Sequence, residues 1–278
     1  MEKIIDLHIH TNKSDGFLAP KEVIDEAIKN EVSVIAIADH DTIDAYDDDL
    51  FDYAKKNNIV LIPAVEISTK SEKSGIHVLG YNFDLNNTKF REELRKIRNY
   101  RHEYLYDVSE KLKEFGYKVN VGELDKIDAV TKAHIALNVI SNKENEDFLI
   151  KNFGHLPSKG EFIENLMNEG CPAYIEKSCV TPKEAADLIK AAGGKVVLAH
   201  PVAYGYEENL TEDDIVNLIK AMDIDAIEGN YLYVDKNGII HDDTNKWNHF
   251  AKSYNLISTI GSDFHIEDGI RPNIGFRN

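Results

Sequence analysis

The sequence predicts an α/β fold, a parallel sheet or barrel interrupted by a helical block. Three observations carry this. Short apolar runs of strand length alternate with amphipathic helical stretches near both ends of the chain. Residues 88–176 between them show only helical spacing. Histidines and carboxylates recur where the apolar runs stop.

The elements follow in order. Residues 3–10 are an apolar run ending in polar groups, a first strand. Residues 20–31 place Val23, Ile24, Ala27 and Ile28 at helical spacing, with Pro20 in the first turn. Residues 33–40 and 59–68 read as buried strands, 44–57 as an acidic helix between them, and 76–83 as a fourth strand. Phe90, Leu94, Ile97, Leu105, Val108, Leu112 and Phe115 trace one helical face that stops at Gly116. Residues 119–175 read as short helices, among them 133–140, 144–152 and 159–169. Alternation resumes with helix 182–192, ended by Gly193-Gly194, then strand 195–199, helix 213–222, strand 226–228, helix 245–254 and strand 256–260. The expected organisation is a barrel from 1–87 and 177–278, with 88–176 as a helical insert.

Composition narrows the classes. At 278 residues, 42% hydrophobic and 29% charged, the chain can bury a full core. No apolar stretch reaches the roughly 18 residues of a membrane span. Residues 1–10 lack the basic flank and cleavage site of a signal peptide. Cys171 and Cys179 are then read as reduced bystanders, and the expected location is cytoplasmic, with no membrane partner. The net charge of −17 repels an extended polyanion, which disfavours duplex nucleic acid. A small phosphorylated substrate stays compatible, because bound divalent cations reverse the field locally.

The polar residues at strand ends carry the chemistry. His8 and His10 end the first strand, His40 the second and Glu66 the third; His77 lies in the fourth, His200 follows the fifth, and Asp263 with His265 follows the last. Strand ends of a parallel barrel open on one face, where such groups converge. Residues two apart in a strand point the same way, so His8 and His10 can chelate one ion. Glu66 ends the apolar run 59–65, where a carboxylate is costly unless cations offset it. Mixed imidazole and carboxylate donors suit zinc, manganese or iron. A single histidine after a strand is more often structural. His102, His155, His241 and His249 fall in expected helices or loops and are left outside the site. Gly193-Gly194-Lys195 sits between a helix and a strand, the reverse of a phosphate-binding P-loop.

The segments DLHIHTNKSDG (6–16), IADHDT (37–42), AVEIS (64–68), HVLGY (77–81), LAHP (198–201) and GSDFH (261–265) resemble the serial motifs of the polymerase-and-histidinol-phosphatase (PHP) family of phosphoesterases. AHIALNVI (133–140) and PAYIE (172–176) resemble its branch of nucleoside 3′,5′-bisphosphate phosphatases and enzymes trimming short RNA from the 5′ end. The resemblance implies a distorted (β/α)7 barrel with three divalent transition-metal ions. By motif match His8, His10, Glu66 and Asp263 hold the first ion; Glu66, His77 and His200 the second; Asp15, His40 and His265 the third. Asp39 and Asp41 flank His40 and are expected to orient imidazoles by hydrogen bonding.

The expected reaction is hydrolysis of a phosphate ester by a metal-bridging hydroxide, with His200 or Asp263 as proton donor to the leaving group. The expected substrate is a nucleotide, a 3′,5′-bisphosphate or very short RNA. Arg98, Arg101, Lys132 and His134 are candidates for a second phosphate, although helical spacing of Arg91, Arg95 and Arg98 fits a solvent-facing stripe equally well. Where related sequences carry Arg-Pro-His, this one has Lys132-Ala133-His134, which removes a bidentate donor. Two alternatives stand beside this reading: a cyclic sugar-phosphate phosphodiesterase, and an amidohydrolase-type C–N hydrolase. No strand here ends in the lysine the latter often uses.

Overall fold

The computed structural model describes residues 3–127, 130–176, 178–235 and 237–275. The expected boundary at residue 177 lies outside them, as do residues 1, 2 and 276–278. The chain forms two compact units, Met1–Arg95 with Val180–Asn278, and Lys96–Cys179.

The first unit opens with β1 (Ile4–Ile9), α1 (Pro20–Lys29), β2 (Val32–Ile37), α2 (Asp48–Lys56), β3 (Val60–Lys70) and β4 (Gly75–Tyr81). After the insert come α8 (Pro182–Ala191), β5 (Lys195–Leu198), α9 (Pro201–Glu207), α10 (Glu212–Met222), β6 (Ala226–Asn230), a hairpin of β7 (Tyr233–Val234) and β8 (Ile240–His241), α11 (Thr244–Ser253) and β9 (Ile257–Ile260). Proline opens α1, α8 and α9, where its missing N–H is not needed. Thr181 with Glu184 and Thr211 with Asp214 form reciprocal caps on α8 and α10. Helix α9 and the two-residue strands β7 and β8 have no counterpart in the sequence reading.

Among the described residues, seven strands pair in the order β1-β2-β3-β4-β5-β6-β9. All neighbours are parallel except β4, which runs against both β3 and β5. This corrects the expected run of parallel strands. The cause is the short connection after β3, where the Ser71 N–H donates to Ser74 O at 2.8 Å. So few residues return the chain antiparallel, since a parallel crossover needs a dozen or more. The reversal puts the first residues of β4, including His77, at the rim where its neighbours end.

The sheet closes on itself. Past β9, the Asp263 N–H donates to His8 O (2.8 Å) and the His10 N–H to Phe264 O (2.9 Å), a parallel bridge onto β1. The barrel interior is lined by small residues, Ala36, Ala38, Ala64, Ala199 and Ala226, with Leu79, Tyr81 and Val197 among them. The alanines leave room for Tyr81, whose hydroxyl donates to Leu7 O at 2.7 Å and ties β4 to β1. Buried Tyr46 does the same for β2 and β3, donating to Ile37 O and accepting from the Ala64 N–H.

Helix α3 (Thr88–Glu114) leads into the second unit and ends at Gly116, whose φ of +90° only glycine adopts without strain. There α4 (Val121–Leu124), α5 (Lys132–Ser141), α6 (Glu146–Phe153) and α7 (Lys159–Phe162), which runs on into a π-helical turn at Ile163–Met167, pack a core that includes Leu105, Leu112, Ile135, Leu149 and Phe162. No helix among the described residues is long and apolar enough to cross a membrane. Neither Cys171 nor Cys179 is in a disulfide.

Candidate metal centre

The rim of the barrel gathers the polar strand ends around one carboxylate. Glu66, only 1% exposed, is carried on β3 where it pairs with β4. Its Oε2 lies 3.3 Å from His8 Nε2, 3.2 Å from His10 Nε2 and 3.2 Å from His40 Nδ1. Its Oε1 lies 3.0 Å from His77 Nδ1 and 3.1 Å from His200 Nε2. Five imidazoles therefore face a single buried acid. Asp263 approaches the same pair from the end of the chain, its Oδ1 3.1 Å from His10 Nε2 and 3.5 Å from His8 Nε2. Asp15 lies beyond His10, with Oδ1 3.3 Å from His265 Nε2 and Oδ2 3.8 Å from His40 Nε2.

Three interlocking donor sets result, each able to surround an ion. They are His8, His10, Glu66 and Asp263; His40, Glu66 and His77; and His10, Asp15, His40 and His265. Two features fit cations better than a hydrogen-bonded network. The Nε2 atoms of His8 and His10 face each other at 3.1 Å, which as a hydrogen bond needs one ring to surrender its acceptor pair. Asp15 Oδ1, His77 Nδ1 and His200 Nδ1 are buried yet make no hydrogen bond of acceptable geometry. Close approach without directional bonding is what donors sharing a central charge display. The donor chemistry suits zinc, manganese or iron over an all-oxygen calcium or magnesium cage.

The electrostatics agree. Burial opposes the charge on Glu66, but His40, His77 and His8 outweigh it and hold the carboxyl well below its usual range. Asp15 and Asp263 are likewise held low against burial, chiefly by His40 and by His8 respectively. Burial pulls His10 down, yet contacts with Asp263 and Glu66 lift it to about 10. His40 goes the other way, lowered by burial to about 3. Without cations the cluster thus holds ionised acids and shares its protons unevenly among the rings. Divalent ions would displace those protons.

The backbone around the cluster is strained where its donors are presented. Asp41, His200 and Asp263 have φ of +55°, +24° and +53°. Such conformations cost on the order of 1–3 kcal/mol each and persist only where neighbours fix them. Here the His200 N–H donates to Glu228 Oε2 at 2.9 Å, and the Asp263 N–H to His8 O. Gly261 is required for a different reason: a Cβ there would collide with His8 Cβ and the Glu228 carboxylate.

A family profile described as the PHP domain matches residues 6–262, nearly the whole chain. The chain belongs to the PHP family. It is a metal-dependent phosphoesterase, a phosphoric ester hydrolase. A 5′-3′ exoribonuclease of Haemophilus influenzae is 32% identical over 272 residues, covering 97% of this chain and 92% of that protein. A 3′,5′-nucleoside bisphosphate phosphatase of Chromobacterium violaceum is 26% identical over 265 residues, 94% and 87% of the two chains. Among solved structures, an amidohydrolase from Chromobacterium violaceum with bound sulfate superposes with a TM-score of 0.76, covering 98% and 90% of the two chains. At 24% identity that likeness is one of fold.

In this PHP chain all nine side chains read as metal donors, His8, His10, Asp15, His40, Glu66, His77, His200, Asp263 and His265, meet at the rim. His200 reaches Glu66, but the three donor sets form without it. Asp39 reaches an imidazole only indirectly. Its carboxylate takes the Thr11 N–H and hydroxyl at 2.7 Å and the Ser14 hydroxyl at 2.6 Å, and Ser14 Oγ lies 3.5 Å from His10 Nδ1. Asp41 accepts the Ser68 N–H, and Ser68 Oγ lies 3.4 Å from His40 Nδ1. Arg98, Arg101, Lys132 and His134 lie in the second unit. Arg101 is buried, Lys132 donates to Asn168, and His134 completes the reciprocal cap of α5 with Thr131. His102 and His155 pair with Asp125 and Glu161, whereas His241, expected in a loop, sits in β8 against Asp235.

Two residues escaped the sequence reading. Glu228, 1% exposed, holds His8 Nδ1 through Oε1 at 3.0 Å while accepting the His200 N–H. Asp6 accepts the N–H groups of His8, Ser262 and Gly275, joining both ends of the barrel beneath the cluster. Each carried a usable signal. Glu228 is an acid in the short apolar strand β6, as Glu66 is in β3, and Asp6 shares the alternating face of His8 and His10.

Proposed function

We propose that this phosphoesterase hydrolyses phosphate esters of nucleotides, a nucleoside 3′,5′-bisphosphate or the 5′ end of a very short RNA, using three transition-metal ions in the cytoplasm. The observation that carries the reading is Glu66, a buried carboxylate shared by two of three adjoining donor sets. Similarity along almost the full length to an exoribonuclease and a nucleoside bisphosphate phosphatase supports the nucleotide substrate. Duplex nucleic acid is outside it, since a net charge of −17 opposes binding along an extended polyanion.

In this reading His8, His10, Glu66 and Asp263 would hold one ion, Glu66, His77 and His200 a second, and Asp15, His40 and His265 a third, each imidazole giving its one lone pair to a single ion. Bound there, the cations supply Lewis acidity for the phosphoryl oxygens and activation of the attacking water. The protein's own part is to fix the donors and to manage protons. Glu228 fixes the His8 ring from its far side, and Ser14 stands behind His10. Asp263 Oδ2 accepts the Tyr231 hydroxyl at 3.2 Å, which turns Oδ1 toward His8 and His10. His200, with Nε2 3.1 Å from Glu66 Oε1, and Asp263 are the candidates to protonate the leaving oxygen. Arg98, Arg101, Lys132 and His134 remain the candidates for a second phosphate.

Purified protein loaded with manganese, zinc or iron is expected to release phosphate from nucleoside 3′,5′-bisphosphates or 5′-phosphorylated dinucleotides. Asp263→Asn is expected to lower turnover by on the order of 10²–10³-fold or more, with unchanged circular dichroism. Full turnover of that variant would sink the assignment.

A further inference from the structure

Beside the metal centre the barrel carries a groove that the reaction above does not use. Its inner part, of about 150 Å³, is lined by Asp263 and Tyr231. Its outer part, of about 500 Å³, is lined by Tyr206 and His241. Glu207, Tyr233, Val234 and Arg271 border both, so the two parts adjoin and lead from the cluster's Asp263 to an aromatic wall.

That wall is built with some rigidity. Tyr206 lies against His241 with ring centroids 4.0 Å apart and against Tyr233 at 5.7 Å, the latter pair tilted by only 17°. The Tyr233 hydroxyl donates to Glu207 Oε1 at 3.0 Å, and His241 Nε2 sits 3.2 Å from Asp235. Helix α9, which carries Tyr206 and Glu207, starts directly after His200, so the wall is indexed to the cluster. An ordinary packing trio would bury all three rings. Tyr233 is buried at 8% exposure, but Tyr206 is 47% exposed and presents ring surface to the groove. Arg271 borders both parts of the groove, 55% exposed, its Nε ion-paired with Asp268 at 3.7 Å, longer than a hydrogen bond.

We propose that this groove seats the nucleobase of the substrate, stacked on Tyr206, with Arg271 meeting a phosphate on the path to the metal centre. The inference rests on the nucleotide reading and adds where the base goes. A flat π-surface recognises any base by stacking, and the carboxylates of Glu207 and Asp235 at the same wall can accept hydrogens from exocyclic amino groups. The cleft bordered by Phe17, Phe264 and Ile266 is a poorer seat, since its charged lining is Glu26 and Glu267, without a cation such as Arg271 to meet a phosphate.

The test compares adenosine 5′-monophosphate with ribose 5-phosphate, binding to the metal-loaded protein by calorimetry. Tyr206→Ala is expected to weaken adenosine monophosphate roughly 5- to 100-fold and leave ribose 5-phosphate unchanged. Tyr206→Phe, which keeps the ring, is expected to restore binding, and Arg271→Gln to weaken both probes alike. Equal effects of Tyr206→Ala on the two probes, or none on either, overturn the proposal even if nucleotides are hydrolysed. Base-dependent binding without phosphate release from any nucleotide upholds the groove and removes the proposed reaction instead.

Discussion

Both units of this chain bury apolar side chains, but the barrel unit also buries a cluster of acids and imidazoles. In the barrel unit Asp6, His8, His10, Asp39, His40, Glu66, His200 and Glu228 are buried together, groups that prefer water. The core of the insert is built from Leu105, Leu112, Ile135, Leu149, Phe162 and their like. The contrast separates two uses of burial. In the insert, removing apolar surface from water stabilises the fold directly, at about 25 cal/mol per Å². Around Glu66, burial strengthens the field between acids and imidazoles, which helps folding little and prepares a site for cations.

That difference can be broken or sharpened by substitution. The largest expected change is in the insert. Phe162→Ala removes a fully buried ring and should cost about 3–5 kcal/mol, read as loss of hydrogen-exchange protection within residues 96–179. Metal content should persist; its loss would show that the two kinds of burial are not separable. Next comes Glu228→Gln in the barrel. It keeps the shape beside His8 but removes the charge, and should weaken metal binding by about 10- to 100-fold in a competition titration. A variant that binds metal normally would reduce Glu228 to a packing residue. The smallest is Thr131→Ala, which deletes the cap of α5 and should lower the stability of the insert by about 1 kcal/mol without altering metal affinity.

How far each unit could be read from sequence follows from the same contrast. His8, His10 and Glu66 were legible because polar groups at the ends of apolar strands are costly and need a reason. Helix α3 was legible from its spacing and from the glycine that stops it. The direction of β4 was not, because an apolar run looks alike either way round; Ser71 and Ser74 were the hint of a tight return. Strands β7 and β8, two residues each, are too short for any period to show, so the sequence around His241 looks like a loop. The π-helical turn at Ile163–Met167 reads as ordinary helix, because its apolar residues suit either winding. Glu228, an acid closing the apolar start of β6, bears the same signal as Glu66 in a strand too short to show its period.

The seam between β1 and the segment after β9 has a consequence for how this protein is made. Ser262 contacts a residue 254 positions earlier, at His8. A ribosome adding roughly 5–20 residues per second delivers Asp263 and His265 some tens of seconds after the first two histidines. Until then a nascent chain holds only part of each set that needs them. On the assignment proposed here, tight uptake of metal falls among the last events of maturation, and a chain interrupted before residue 263 would leave the ribosome unable to complete it.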